Sequence, residues 1–120
     1  MTNKKFIKEY LNAISGQPKT EELMEQYVAD PSLKEHMRFF EKAFPGYELI
    51  AEDVVAEDNK VAVRAVVRGL HQGDFQGIMP TGFSVNISVM LIYMIENKKI
   101  VDFWMVADQL ALMQQLGIMK

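Results

Sequence analysis

The sequence predicts an α+β fold, an antiparallel meander packed on a helical layer, and three observations carry that reading. Apolar residues recur at helical spacing up to Phe44, with breaks at Gly16–Pro18 and at Ala29–Asp30–Pro31–Ser32. From Tyr47 onward the chain turns β-branched and alternates with a period of two. No linker, repeat or low-complexity tract divides these halves, so helices first and strands afterwards predict one domain over residues 1–120.

Each element follows from its own residues. The first helix carries Phe6, Ile7, Tyr10, Leu11 and Ile14 on one stripe, with Thr2 or Asn3 as cap. Thr20 opens the second, whose Glu21 and Glu22 suit the positive end of the helix dipole. The Ser32-x-x-Glu35 spacing of a capping box predicts the start of a third, with Leu33, His36, Met37, Phe40 and Phe44 along its stripe. Pro45–Gly46 ends it.

Two strands, Tyr47–Glu57 and Lys60–Gly69, form a hairpin around Glu57–Lys60. Arg64 and Arg68 are expected to pair with Asp53 or Glu52 on the neighbouring strand. A glycine-rich crossing follows, with Gly69, Gly73, Gly77 and Gly82. Met79-Pro80-Thr81-Gly82 within it matches a type I turn. The third strand, Phe83–Ile95, meets the fourth, Ile100–Asp108, through Glu96-Asn97-Lys98-Lys99. Gln109–Gly117 reads as a short closing helix. Val89–Ile95 is apolar at every position, so both faces of that strand need cover, and a second copy docked sheet to sheet is the expected supply.

Composition narrows the function classes. There is no cysteine, which excludes disulfides and thiolate metal sites and fits a reducing, cytoplasmic compartment. The net charge of −3 is spread without a basic patch, which argues against nucleic acid. The amphipathic N-terminal segment reads as neither a signal peptide nor a membrane span. The glycines lie between strands, the wrong context for a dinucleotide loop, and no nucleophile elbow is present.

The candidates for chemistry are few. Asp108 falls where the last strand gives way to the last helix. It suits a helix N-cap, and beside Trp104 in apolar surroundings it also suits a general acid or base. His71 is either a proton shuttle or a histidine hydrogen-bonded to the glycine-rich loop. His36 reads as core or pocket wall. The nine methionines serve a core and also suit an adaptable apolar cavity.

Taken in order, these motifs resemble a known family. Phe-Pro after a helix, Gly-x-His-x-Gly-x-Phe-x-Gly-Ile from Gly69, Pro-Thr-Gly at 80–82, and Trp104-x-x-x-Asp108 before Gln115-Leu116-Gly117 are similar to the SnoaL-like polyketide cyclases, or ester cyclases, of the nuclear transport factor 2-like superfamily. The resemblance runs from about Phe39 to Gly117. It implies a curved antiparallel sheet forming a cone-shaped barrel closed by the N-terminal helices. It implies dimers through the outer sheet face, and aldol-type ring closure without metal or cofactor, with Asp108 as acid/base. The substrate would be a small hydrophobic carbonyl compound. Its expected wall is His71, Trp104, His36, Tyr93, Phe40 and Met94. A cavity that binds without chemistry, or a dimeric module with a filled core, are the alternatives the residues leave open.

Overall fold

The computed structural model describes residues 2–118. Its elements run α1 (Asn3–Ile14), α2 (Glu21–Tyr27), α3 (Pro31–Ala43), β1 (Glu48–Glu57), β2 (Lys60–Leu70), β3 (Ser84–Glu96), β4 (Lys99–Ala107) and α4 (Gln109–Gln115). The α+β reading holds.

Helix starts follow from their caps. Thr2 Oγ1 accepts from Lys5 N at 3.1 Å and Thr20 Oγ1 from Leu23 N at 3.2 Å. The third start differs from the expected capping box. Asp30 caps it, accepting from Ser32 N at 3.1 Å, and Pro31 occupies the first turn. Asp-Pro wins because proline's fixed φ suits the first turn, where its missing N–H costs nothing.

The four strands form an antiparallel meander in the order β1-β2-β3-β4. The sheet is open. β1 and β4 are its edges and do not pair, so the expected closure into a barrel is absent. Pairing slips by one residue between Ala51 and Asp53, which makes Glu52 a bulge. Bulges raise local twist and bend the strand. Asn97 and Lys98 both take positive φ, 51° and 59°, as a two-residue hairpin loop demands. Arg64 pairs with Glu52 at 2.8 Å, one of the two partners expected for it.

The glycine-rich crossing turns earlier than expected. Residues 79–82 run without a turn or bend, and Gly82 N donates to His71 O, so the expected type I turn at Met79–Gly82 is absent. The reversal is at Phe75–Ile78, whose backbones exchange hydrogen bonds of 3.0 and 2.8 Å around Gln76 and Gly77, both at positive φ. Gly73 is required by close approach: a Cβ there would lie 2.0 Å from Lys42 O. Its N–H and that of Gln72 both donate to Ala43 O, which seats the crossing on the end of α3.

β3 shows what positions the core. Val85, Ile87, Val89, Leu91, Tyr93 and Ile95 are buried, and the residues between them face outward. The inner set packs beneath Ile7, Tyr10 and Ile14 of α1 and Met24 and Tyr27 of α2. Lys19 is pinned inside this layer. Its ammonium donates to Gln17 O and Tyr47 O at 2.6 and 2.7 Å, and sits 3.9 Å from the centroid of the Tyr47 ring. Beyond β4, α4 covers the edge of β3, where the Gln115 amide bonds both backbone groups of Asn86. Among the described residues no helix is long and apolar enough to cross a membrane.

Candidate functional site

An apolar cavity of about 170 Å³ lies between the concave face of the sheet and the helices. β2, β3 and β4 supply Val67, Ile87, Val89, Leu91, Tyr93, Met105 and Ala107. The helices supply Tyr10, Ile14, Leu33, His36, Met37, Phe40, Gln109 and Leu112, and the crossing supplies Phe75 and Gln76. Strand alternation sets the sheet half of this wall, since only inward residues can reach it. No Asp, Glu, Lys or Arg is among its lining residues.

Its polar groups are phenols, amides and one imidazole. His36 stands on the cavity stripe of α3, its ring 5.9 Å from the Phe40 ring and nearly parallel to it, and 5.9 Å from Phe103. Burial pushes the His36 pKa below the ordinary histidine value. The ring is therefore neutral at neutral pH, with one donor and one acceptor nitrogen. Tyr10 meets Tyr93 edge to face at 5.8 Å, and its hydroxyl points to Met37 Sδ at 3.5 Å. Burial pushes Tyr10, Tyr47 and Tyr93 above the ordinary tyrosine value; Tyr93 and Tyr47 add to the rise at Tyr10, Tyr47 to that at Tyr93, and the Glu41 carboxylate to that at Tyr47.

Three expected wall residues, His36, Phe40 and Tyr93, meet at this cavity. The other candidates stand elsewhere. Asp108 caps α4, its Oδ1 accepting from Ala111 N at 3.0 Å. Its side chain is exposed, and it borders a shallow depression on the convex side with Glu52, Arg64 and Val106. Its neighbours Ala107 and Gln109 line the cavity, whereas Asp108 does not. Trp104 shares that outward parity and is 47% exposed, with Lys60 Nζ 5.9 Å from its ring. Met94 lies on the same convex face, between Lys60 and Asp102 in the register.

His71 is fully buried but does not line the cavity. Its Nδ1 accepts from Thr81 N at 3.1 Å and lies 2.9 Å from Thr81 Oγ1. An Nδ1 that accepts carries no hydrogen, so the neutral ring holds its proton on Nε2, which has no partner. His71 thus fastens the two ends of the crossing, from β2 to the start of β3.

Sequence reasoning missed Tyr47, Gln76 and Gln109 as wall residues. Tyr10 was on the α1 stripe and could have been named. Gln109 could have been found beside Asp108, since a strand-to-helix junction turns neighbouring residues to opposite sides. Among the described residues no three His, Cys, Asp or Glu side chains are placed to hold a metal ion.

Solved structures share this architecture. AclR of Streptomyces galilaeus, described as a candidate hydroxylase, is 25% identical with a TM-score of 0.81, covering 96% of this chain and 80% of its own. IdmH of Streptomyces antibioticus, described as a candidate polyketide cyclase, is 21% identical with a TM-score of 0.76, covering 98% of this chain and 99% of its own. A SnoaL-like polyketide cyclase of Agrobacterium tumefaciens is 20% identical with a TM-score of 0.79, covering 98% and 99%. No curated protein matches the sequence significantly. The sequence profile of the SnoaL-like polyketide cyclases matches residues 12–116, nearly the whole chain, and the protein belongs to that family.

Proposed function

We propose that this protein binds a compact, largely apolar small molecule in the concave-face cavity. Membership suggests a small-molecule cyclase or binding protein, and binding is the reading the geometry supports best. The carrying observation is the cavity wall: apolar side chains, three phenols and a neutral imidazole, with no carboxylate. Size bounds the ligand. An apolar cavity of about 150 Å³ holds benzene. A volume of about 170 Å³ therefore suits one ring and is small for a fused polycycle.

Solved relatives of this fold are described both as a hydroxylase and as cyclases, so the fold alone does not select a reaction. The resemblance assigns acid/base work to Asp108. That carboxylate already accepts the Ala111 amide, and it stands outside the cavity. A second reading keeps cofactor-free proton transfer on a carbonyl compound and moves it to His36. Its support is a desolvated imidazole on the cavity wall that is neutral at pH 7 and so presents one unprotonated nitrogen. Exchange of the α-protons of small ketones into deuterated water tests it. His36→Gln is expected to abolish exchange and Asp108→Asn to retain it. The opposite pattern returns the role to Asp108, and no exchange in the wild type leaves binding as the function.

The convex face supports self-association. Val55, Met90, Ile92, Trp104 and Val106 are all exposed, and β3–β4 pairing sets Ile92 beside Trp104 and Met90 beside Val106. Such a cluster is unusual for a monomer's surface. Lys60 and Asp102 sit in one cross-strand row beside it, separated by Met94. Opposite charges in one row beside an apolar centre suit a two-fold contact, in which each copy presents the same patch. A second copy of this chain is the occupant that fits.

A further inference from the structure

The cavity's phenols are not equivalent. The Tyr10 hydroxyl points to Met37 Sδ. The Tyr47 and Tyr93 hydroxyls have no hydrogen-bond partner among the described residues, although both side chains are buried and line the cavity. Both side chains border the free volume of the cavity, and neither hydroxyl is among the sealed, unpartnered atoms of the described residues, which are Glu41 Oε1 and His71 Nε2.

Unpaired buried donors are rarer in native proteins than under-used acceptors. Two of them on one small cavity call for a partner. Desolvation also keeps both phenols protonated across the physiological range, so they stay donors. The absence of any charged residue from the lining argues against an ionised ligand, whose charge would be left unbalanced.

The geometry points to Tyr47 and Tyr93 as a pair of hydrogen-bond donors for the carbonyl oxygen of a neutral, ring-sized ketone or aldehyde. This rests on the cavity being the ligand site and adds the residues that hold the ligand's oxygen. The apolar wall takes the ring, and the phenols take the oxygen. A hydrocarbon of the same shape fills the same space and leaves both donors unpaired. An analogue lacking the bonded oxygen is rejected because the site's own polar groups are then stranded.

Cyclohexanone and methylenecyclohexane, which differ only in the exchange of C=O for C=CH₂, are the probes. Each is titrated by calorimetry into the wild type, Tyr47→Phe and Tyr93→Phe. Each Tyr→Phe change is expected to weaken cyclohexanone by about 2- to 10-fold, as loss of a neutral hydrogen bond does. It should leave methylenecyclohexane unchanged or tighter, which also shows that the variants fold. The infrared carbonyl stretch of bound cyclohexanone is expected at lower frequency in the wild type than in either variant. Equal loss of both probes, or a carbonyl stretch that ignores the substitutions, overturns the donor pair while the cavity reading stands. If neither probe binds the wild type, the cavity reading fails and the donor pair fails with it.

Discussion

The concave and convex faces of the sheet are built from the same strands and nearly the same residue types, yet they do different things. On β3 the inward Val89, Leu91 and Tyr93 are at most 5% exposed, whereas the outward Met90 and Ile92 are 55% and 41% exposed. Composition does not separate the two sets. What separates them is the helical layer, which covers one face and leaves a small void with unpaired phenols. The other face is left with a flat apolar cluster around Trp104. The difference teaches that an apolar strand can line a cavity on one side and stay exposed on the other, one residue apart.

The largest expected effect breaks that comparison by charge. Leu91→Asp buries a carboxylate without a partner and is expected to cost more than about 4 kcal/mol, enough to unfold a domain of this size. Met90→Asp, one residue away, is expected to change the stability of the monomer by less than about 0.5 kcal/mol, as a surface substitution does, with its effect falling on self-association instead. Urea unfolding of the two variants in parallel checks the pair. Equal losses would mean that the convex face is also core.

Trp104→Glu sharpens the convex side. It is expected to weaken self-association by at least about 2 kcal/mol, the scale of a central aromatic anchor. It should leave ligand binding in the cavity intact. Light scattering across micromolar concentrations reads the first effect and calorimetry the second. A wild type that is monomeric throughout would contradict the two-fold contact.

A smaller effect separates cap from cavity. Asp108→Ala is expected to lose about 1 kcal/mol as an N-cap, while Asp108→Asn keeps most of it because asparagine also caps well. Neither should alter affinity for a cavity ligand. Thermal unfolding with ligand titration checks both.

The smallest effect concerns pH. His36 has its folded-state pKa depressed by burial, so between that value and the unfolded value near 6.5 the unfolded chain binds the proton more readily. Its contribution to stability is present above pH 6.5 and is lost as pH falls toward the folded-state pKa. His36→Phe is expected to flatten this part of the profile below the unfolded value near pH 6.5. A profile with the same slope in both proteins would assign the loss to other groups.

Much of this fold was readable in the sequence. The stripe Phe6–Ile14, the switch of period at Tyr47 and the two hairpin loops named their elements directly, because periodicity and turn residues are local properties. The open sheet was not readable, since closure depends on whether β1 and β4 meet, and no residue in either strand records that. The facing of Asp108 was half readable. Alternation put Asp102, Trp104, Val106 and Asp108 on one face, which is correct. Both faces of β4 carry large apolar residues, however, so pattern alone could not say which looks inward. Phe103 and Met105 do, and Trp104 does not. The turn at Gln76–Gly77 lost out to the stronger proline signal at Pro80, although the chain neither turns nor bends over residues 79–82.

The methionines allow the most direct test of the central claim, that a ligand enters the concave-face cavity. Met37 and Met105 line it, whereas Met90 and Met94 lie on the convex face. With the methionine methyls ¹³C-labelled, titration with cyclohexanone is expected to shift the Met37 and Met105 signals and leave Met90 and Met94 in place. Shifts confined to Met90 and Met94, or no shift at saturating ligand, would contradict it.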